Sequence, residues 1–222
     1  MTEKITLKQE NRLVDLFREG LRTLGLTKDE AQEIIKIGGK MQEQFKPILQ
    51  KLAMMDKRFG QAIKEFEFTV PADYKHESQL DTFAKKTKKL KTTYYFNNDD
   101  LTSSNFAKAT NKLEPGKTYK VKIFPILSQV SSEDCMTFLG KQNAILVGGQ
   151  GITLLQDHNA DEFPVGKYTV SFDQKDALWI DSDGFHRVPC VDRYSDGDWK
   201  FYLGSFEIGW HGGHCLLCFC DL

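Results

Sequence analysis

The period of the apolar residues changes along this chain, and that change limits its architecture more than any other feature. After Thr27, the residues Ala31, Ile34, Gly38, Met41, Phe45, Ile48, Leu52 and Met55 recur at alternating spacings of three and four. That spacing is the seam of a helix that faces another helix. From Thr118 to Leu127 the period is two, with Tyr119, Val121 and Ile123 set against Lys120, Lys122 and Phe124, as in a strand. The expected fold class is therefore α+β with segregated parts. An N-terminal helical region, made of a helical hairpin plus a basic amphipathic helix, precedes a mostly antiparallel β domain. The expected boundaries are 1–70 for the helical hairpin region, 71–116 for the basic helix and linker, and 117–222 for the antiparallel β domain.

The helical part has its own punctuation. Thr6 and Gln9 make a capping box for a helix over 6–24, which Gly25 stops, and Thr27 with Glu30 opens the next. Pro47 kinks that second helix, and Lys57 to Phe66 continues it as a third piece. Over 78–92, Leu80, Phe83, Ala84, Thr87 and Leu90 take one side of a helix whose other sides carry lysines. A short helix over 103–112 ends at Pro115-Gly116.

In the β part, Ser131 or Ser132 caps a brief helix through Phe138. Ala144–Val147 and Ile152–Leu155 read as apolar strands around Gly148-Gly149-Gln150-Gly151. Lys167–Phe172 is another strand. Turn signals at Asp181-Ser182-Asp183-Gly184 and Ser195-Asp196-Gly197-Asp198 mark two hairpins, and Cys215–Cys220 is the last strand.

Charge divides along the same line. Residues 1–127 hold 24 Lys+Arg against 17 Asp+Glu, a balance of +7, and residues 128–222 hold 6 against 14, a balance of −8. The sum is the net −1 of the chain. No secretory leader opens the sequence, and no stretch approaches the ~20 apolar residues of a membrane span. Five cysteines, an odd number gathered towards one end, are not a disulfide framework. These features predict a cytoplasmic protein with reduced thiols and no membrane association.

The sharpest chemistry is in the tail. His211, His214, Cys215 and Cys218 have the residue types and close spacing of ligands to zinc, the one cofactor the sequence suggests. Strand geometry opposes that reading, because residues three apart on a strand point to opposite faces. Cys135 at a helix start would have a lowered pKa, and Cys190 follows His186 at a spacing of four, but neither carries a catalytic signature. A phosphate loop needs a strand before it and a helix after it; the glycine run precedes a strand-like segment, so it reads as a turn. The Asp-Gly pairs read as turn residues and not as calcium ligands. Lys85, Lys86, Lys88, Lys89 and Lys91 could grip phosphates beside Tyr94, Tyr95 and Phe96, although an acidic overall balance does not favour nucleic acid.

The expected function is that of a non-enzymatic cytoplasmic binding or adaptor protein. Its helical arm would contact a protein partner or a second copy of itself through Ile34, Met41, Phe45, Ile48 and Leu52. The alternatives are a metalloprotein or thiol enzyme using the terminal His/Cys cluster, and nucleic-acid binding through the lysine-rich helix.

Overall fold

The computed structural model describes residues 56–89 and 95–222, with the isolated positions 19, 23, 25 and 27. The apolar seam with Ile34, Met41, Phe45, Ile48 and Leu52 lies outside the described residues, as does Lys91. The chain divides between Met55 and Asp56, and every element below belongs to the unit Asp56–Leu222.

Its strands are β1 (Lys64–Thr69), β2 (Tyr95–Asn97), β3 (Thr118–Pro125), β4 (Tyr168–Val170), β5 (Trp179–Ile180), β6 (His186–Arg193), β7 (Trp199–Ser205) and β8 (His214–Asp221). Its helices are α1 (Gln79–Thr87), α2 (Ser132–Lys141) and α3 (Gly148–Asn159). The strands form one sheet in the order β1-β3-β8-β4-β6-β7-β2, with β5 also pairing to β6. The sheet is mixed, which corrects the antiparallel expectation: β4 runs parallel to β8, and β2 parallel to β7. Hairpin turns announce sequence neighbours only. Both parallel pairs join strands far apart in sequence, where no turn residue marks the partner.

β8 explains the layering. Cys215 to Cys220 are all buried, as expected of a central strand written as a continuous apolar run. Cys215, Leu217 and Phe219 join a core with Leu80 and Phe83 of α1 and Ile152 and Leu155 of α3. Leu216, Cys218 and Cys220 join a second core with Cys135, Phe138 and Leu139 of α2 and the loop residues Phe172, Phe206 and Trp210. The sheet is thus the middle of three layers. Each large side chain so enclosed contributes roughly 1.5–3 kcal/mol relative to exposure.

α2 forms where its capping signal stands. Asp134 N donates to Ser131 Oγ, and Ser131 N donates to Asp134 Oδ2, each at 3.1 Å. Four other segments differ from expectation. Lys57–Phe66 is not a helix: Phe59 bridges to Ile126, and Lys64 begins β1, where Phe66 and Phe68 alternate with Glu65 and Glu67. Residues 103–112 make turns instead of a helix. Ala144–Val147 contributes a single bridge, Ile145 to Phe219, and Ile152–Leu155 lies inside α3. A short apolar run reads alike as buried strand or buried helix, and α3 is buried along Gly148–Gln156.

Candidate binding face

On the α2 side of the sheet, one row of side chains crosses five neighbouring strands. His214 of β8 faces Tyr168 of β4, Tyr168 faces Asp192 of β6, Asp192 faces Lys200 of β7, and Lys200 faces Phe96 of β2. At ~4.8 Å between strands this row is about 19 Å long. Its rings touch in sequence. The Trp210 and His214 centroids lie 5.3 Å apart, His214 and Tyr168 5.4 Å, and Tyr168 and Tyr202 5.2 Å. Lys200 Nζ continues the ladder, 5.5 Å from the Tyr202 ring centre and 5.8 Å from that of Phe96. His211 stacks edge-on to His214 at 4.4 Å.

Asp192 sits under this ladder, 5 % exposed. Its Oδ1 is buried without a hydrogen-bond partner, and the nearby Tyr194 hydroxyl favours the ionised carboxylate. Burial pushes its pKa up, against the Tyr194 hydroxyl and the charge of Lys200. Burial likewise pushes the Tyr202 hydroxyl well above its ordinary range, reinforced by the adjoining Cys190 thiol. His214 is shifted down, chiefly by burial, which keeps its imidazole neutral at neutral pH. Perturbed groups and an unmatched buried acceptor thus gather on one stretch of sheet. Chemically the face offers aromatic edges, tyrosine hydroxyls and one ammonium, which suits contact with a partner that supplies apolar groups and hydrogen-bond acceptors.

The four residues of the sequence-predicted zinc set do not converge. His211 and His214 are in contact, but Cys215 joins the core under α1 and α3, while Cys218 joins the opposite core under α2. Among the described residues no group of three or more His, Cys, Asp or Glu side chains is placed to hold one metal ion. All five cysteines are unpaired and buried. Burial pushes the Cys135 thiol up to about 12, overriding the helix-start effect expected of it, and pushes Cys190 up to about 12 as well. His186, four residues before Cys190, instead places Nδ1 2.8 Å from Glu207 Oε1.

The lysines of α1 point outward. Lys85, Lys86, Lys88 and Lys89 are exposed, and Lys86 Nζ pairs with Asp157 Oδ1 of α3 at 2.5 Å. The aspartates of the hairpins serve their turns: Asp181 Oδ1 accepts the amides of Asp183 and Phe185 at 3.0 Å, and Asp196 Oδ1 accepts that of Asp198 at 3.0 Å.

The glycine run opens a helix after all, since α3 starts at Gly148 with φ +48. Its start adjoins the chain's own carboxylate. A side chain at Gly148 would meet Asp173 Oδ2 at 3.4 Å, and Asp173 is buried while accepting the amides of Thr110 and Gln174. The start of the glycine run is thus packed against a buried carboxyl.

No protein family, no curated protein and no solved structure matches this chain. Sequence reading missed the ladder because its members lie on four separate strands and the loop that carries Trp210. Only the alternation that aims every second side chain at one face was legible.

Proposed function

We propose that the protein works by binding, and that the outer part of the ladder, Tyr168, Tyr202, Lys200 and Phe96, held from beneath by the buried Trp210 and His214, is the surface with which its sheet engages a protein partner. The observation that carries this reading is the run of ring and ammonium–ring contacts ending at Phe96, which is 39 % exposed, with Tyr194 equally exposed at the end of β6. Large, rigid aromatic side chains with polar tips are enriched at protein interfaces and dominate their energetics. The charge of residues 128–222, 6 Lys+Arg against 14 Asp+Glu, favours a protein over a phosphate backbone. The seam of Ile34, Met41, Phe45, Ile48 and Leu52 supplies, in this reading, a second contact for a partner helix or a second copy, in a reducing cytoplasmic setting.

The test is affinity purification of the full-length protein from its source cells, beside a Phe96→Ser/Tyr194→Ser variant. A partner retained by the natural chain and lost from the variant, at an unchanged thermal transition, supports the reading. Recovery of the same partners in the same amounts with both proteins would remove the ladder from the interface.

A further inference from the structure

Strand alternation separates the tail thiols into one that faces α1 and α3 and two that face α2. Cys218 and Cys220 share the α2 face, with Sγ atoms 3.4 Å apart. Each is opposed on β3 by a lysine, Cys218 by Lys122 and Cys220 by Lys120. Cys218 is 1 % exposed and Cys220 8 %, so the pair lies just beneath the surface where the α2 core meets the polar row of Glu65, Lys120 and Lys122. The nearest further acceptor is the Gln142 carbonyl, 3.4 Å from Cys220 Sγ.

We propose that Cys218 and Cys220 form a two-thiolate site for a soft, monovalent cation of the copper(I) class. Thiolates are the soft ligands that select such an ion. Two sulfurs bound ~2.3 Å from one centre span at most ~4.6 Å, so a 3.4 Å pair needs only a small opening of its side chains. Tetrahedral zinc asks for four ligands, and no imidazole or carboxylate among the described residues completes such a set here. Binding releases one proton from each thiol and leaves a complex of net charge −1. That charge faces Lys122 and Lys120 across the β3–β8 ladder, which offsets the cost of holding it near a core.

The test is anaerobic titration of the reduced full-length protein with copper(I) against a chromophoric copper(I) chelator. The expected result is withdrawal of a single ion per chain, abolished by Cys218→Ser and by Cys220→Ser and kept by Cys215→Ser, whose thiol faces the other core. Should the serine variants fail to fold, X-ray absorption of the copper-loaded natural protein decides: two sulfur scatterers are expected and no nitrogen. Failure to compete with the chelator, withdrawal that survives both serine substitutions, or a nitrogen-rich copper shell would overturn the proposal.

Discussion

The indole nitrogen of Trp210 donates to Ser132 Oγ across 2.8 Å, between residues only 4 % and 1 % exposed. This bond ties the β7–β8 connection to the first turn of α2, and backbone bonds between Trp210 and Val130 reinforce it at 2.8 and 2.9 Å. It also fixes the ring on which the His214 end of the ladder rests. Trp210→Phe keeps an aromatic ring but strands the Ser132 hydroxyl in the core. The expected loss is about 1–3 kcal/mol, read from the urea midpoint by circular dichroism. Adding Ser132→Ala removes the stranded group, so the double variant loses less than the two single losses combined. Strict additivity would mean that the bond does not couple the two elements.

α3 gives the second prediction. Replacing a helical glycine by alanine ordinarily stabilises by up to ~1 kcal/mol. At Gly151, however, the new methyl would collide with the Val147 side chain, 2.8 Å from its Cβ, and touch the Phe219 ring at 3.5 Å. Gly151→Ala is therefore expected to destabilise by about 1–3 kcal/mol. Removing the neighbour's side chain in Val147→Gly/Gly151→Ala relieves the collision, and denaturant titration of the four proteins in the cycle measures that relief. A stabilised Gly151→Ala would show that the helix start yields easily.

The same helix shows where sequence reading stops. Ser131 or Ser132 announced α2 because a cap is a local signal, and the structure gives the role to Ser131 with Asp134. Cys215 to Cys220 announced a strand with its thiols divided between faces, since that run is bounded and β8 is central. Gly148–Gly151 gave the opposite of a helix signal, and tertiary enclosure decided the matter: the run is buried throughout, and at Gly151 the Val147 side chain leaves no room for a Cβ. The ladder depends on register. His214, Tyr168, Asp192, Lys200 and Phe96 become neighbours only when β4 lies beside β8 and β2 beside β7, and both pairings are parallel.

Asp173 makes stability depend on pH. Burial raises its pKa, against the amides of Thr110 and Gln174 that favour the carboxylate. A carboxyl raised in the folded state binds its proton more tightly there than in the unfolded chain. Its contribution is complete below the unfolded value of about 3.9 and is lost as pH rises through the folded one. Asp173→Asn cannot ionise, so its stability relative to the natural protein should improve from pH 4 to pH 7, as read by urea unfolding at both. Asp173→Ala, by contrast, removes the acceptor of the part-buried amides of Thr110 and Gln174 and should cost about 1 kcal/mol at either pH. An Asn effect that is flat with pH would show that the carboxyl titrates alike in both states.

Asp192 supplies the last prediction, and it separates structural work from binding work. Its Oδ1 is buried without a partner, and burial raises its pKa, so the folded protein holds a charge it would hold more easily in water. Asp192→Asn keeps an oxygen for the Tyr194 hydroxyl and turns the unmatched atom into a neutral amide, which is cheaper to bury. At neutral pH the variant should be as stable as the natural protein or more so, by roughly 0.5 kcal/mol. The advantage should shrink as pH falls through the raised pKa of Asp192, because the natural residue then becomes neutral too. If the ladder is a binding surface, the variant loses partner affinity while its thermal transition holds or rises, the trade expected of a residue kept for function. A variant that unfolds more readily at pH 7, with a deficit that does not change on acidification, would make Asp192 a structural carboxylate and weaken the case for the face above it.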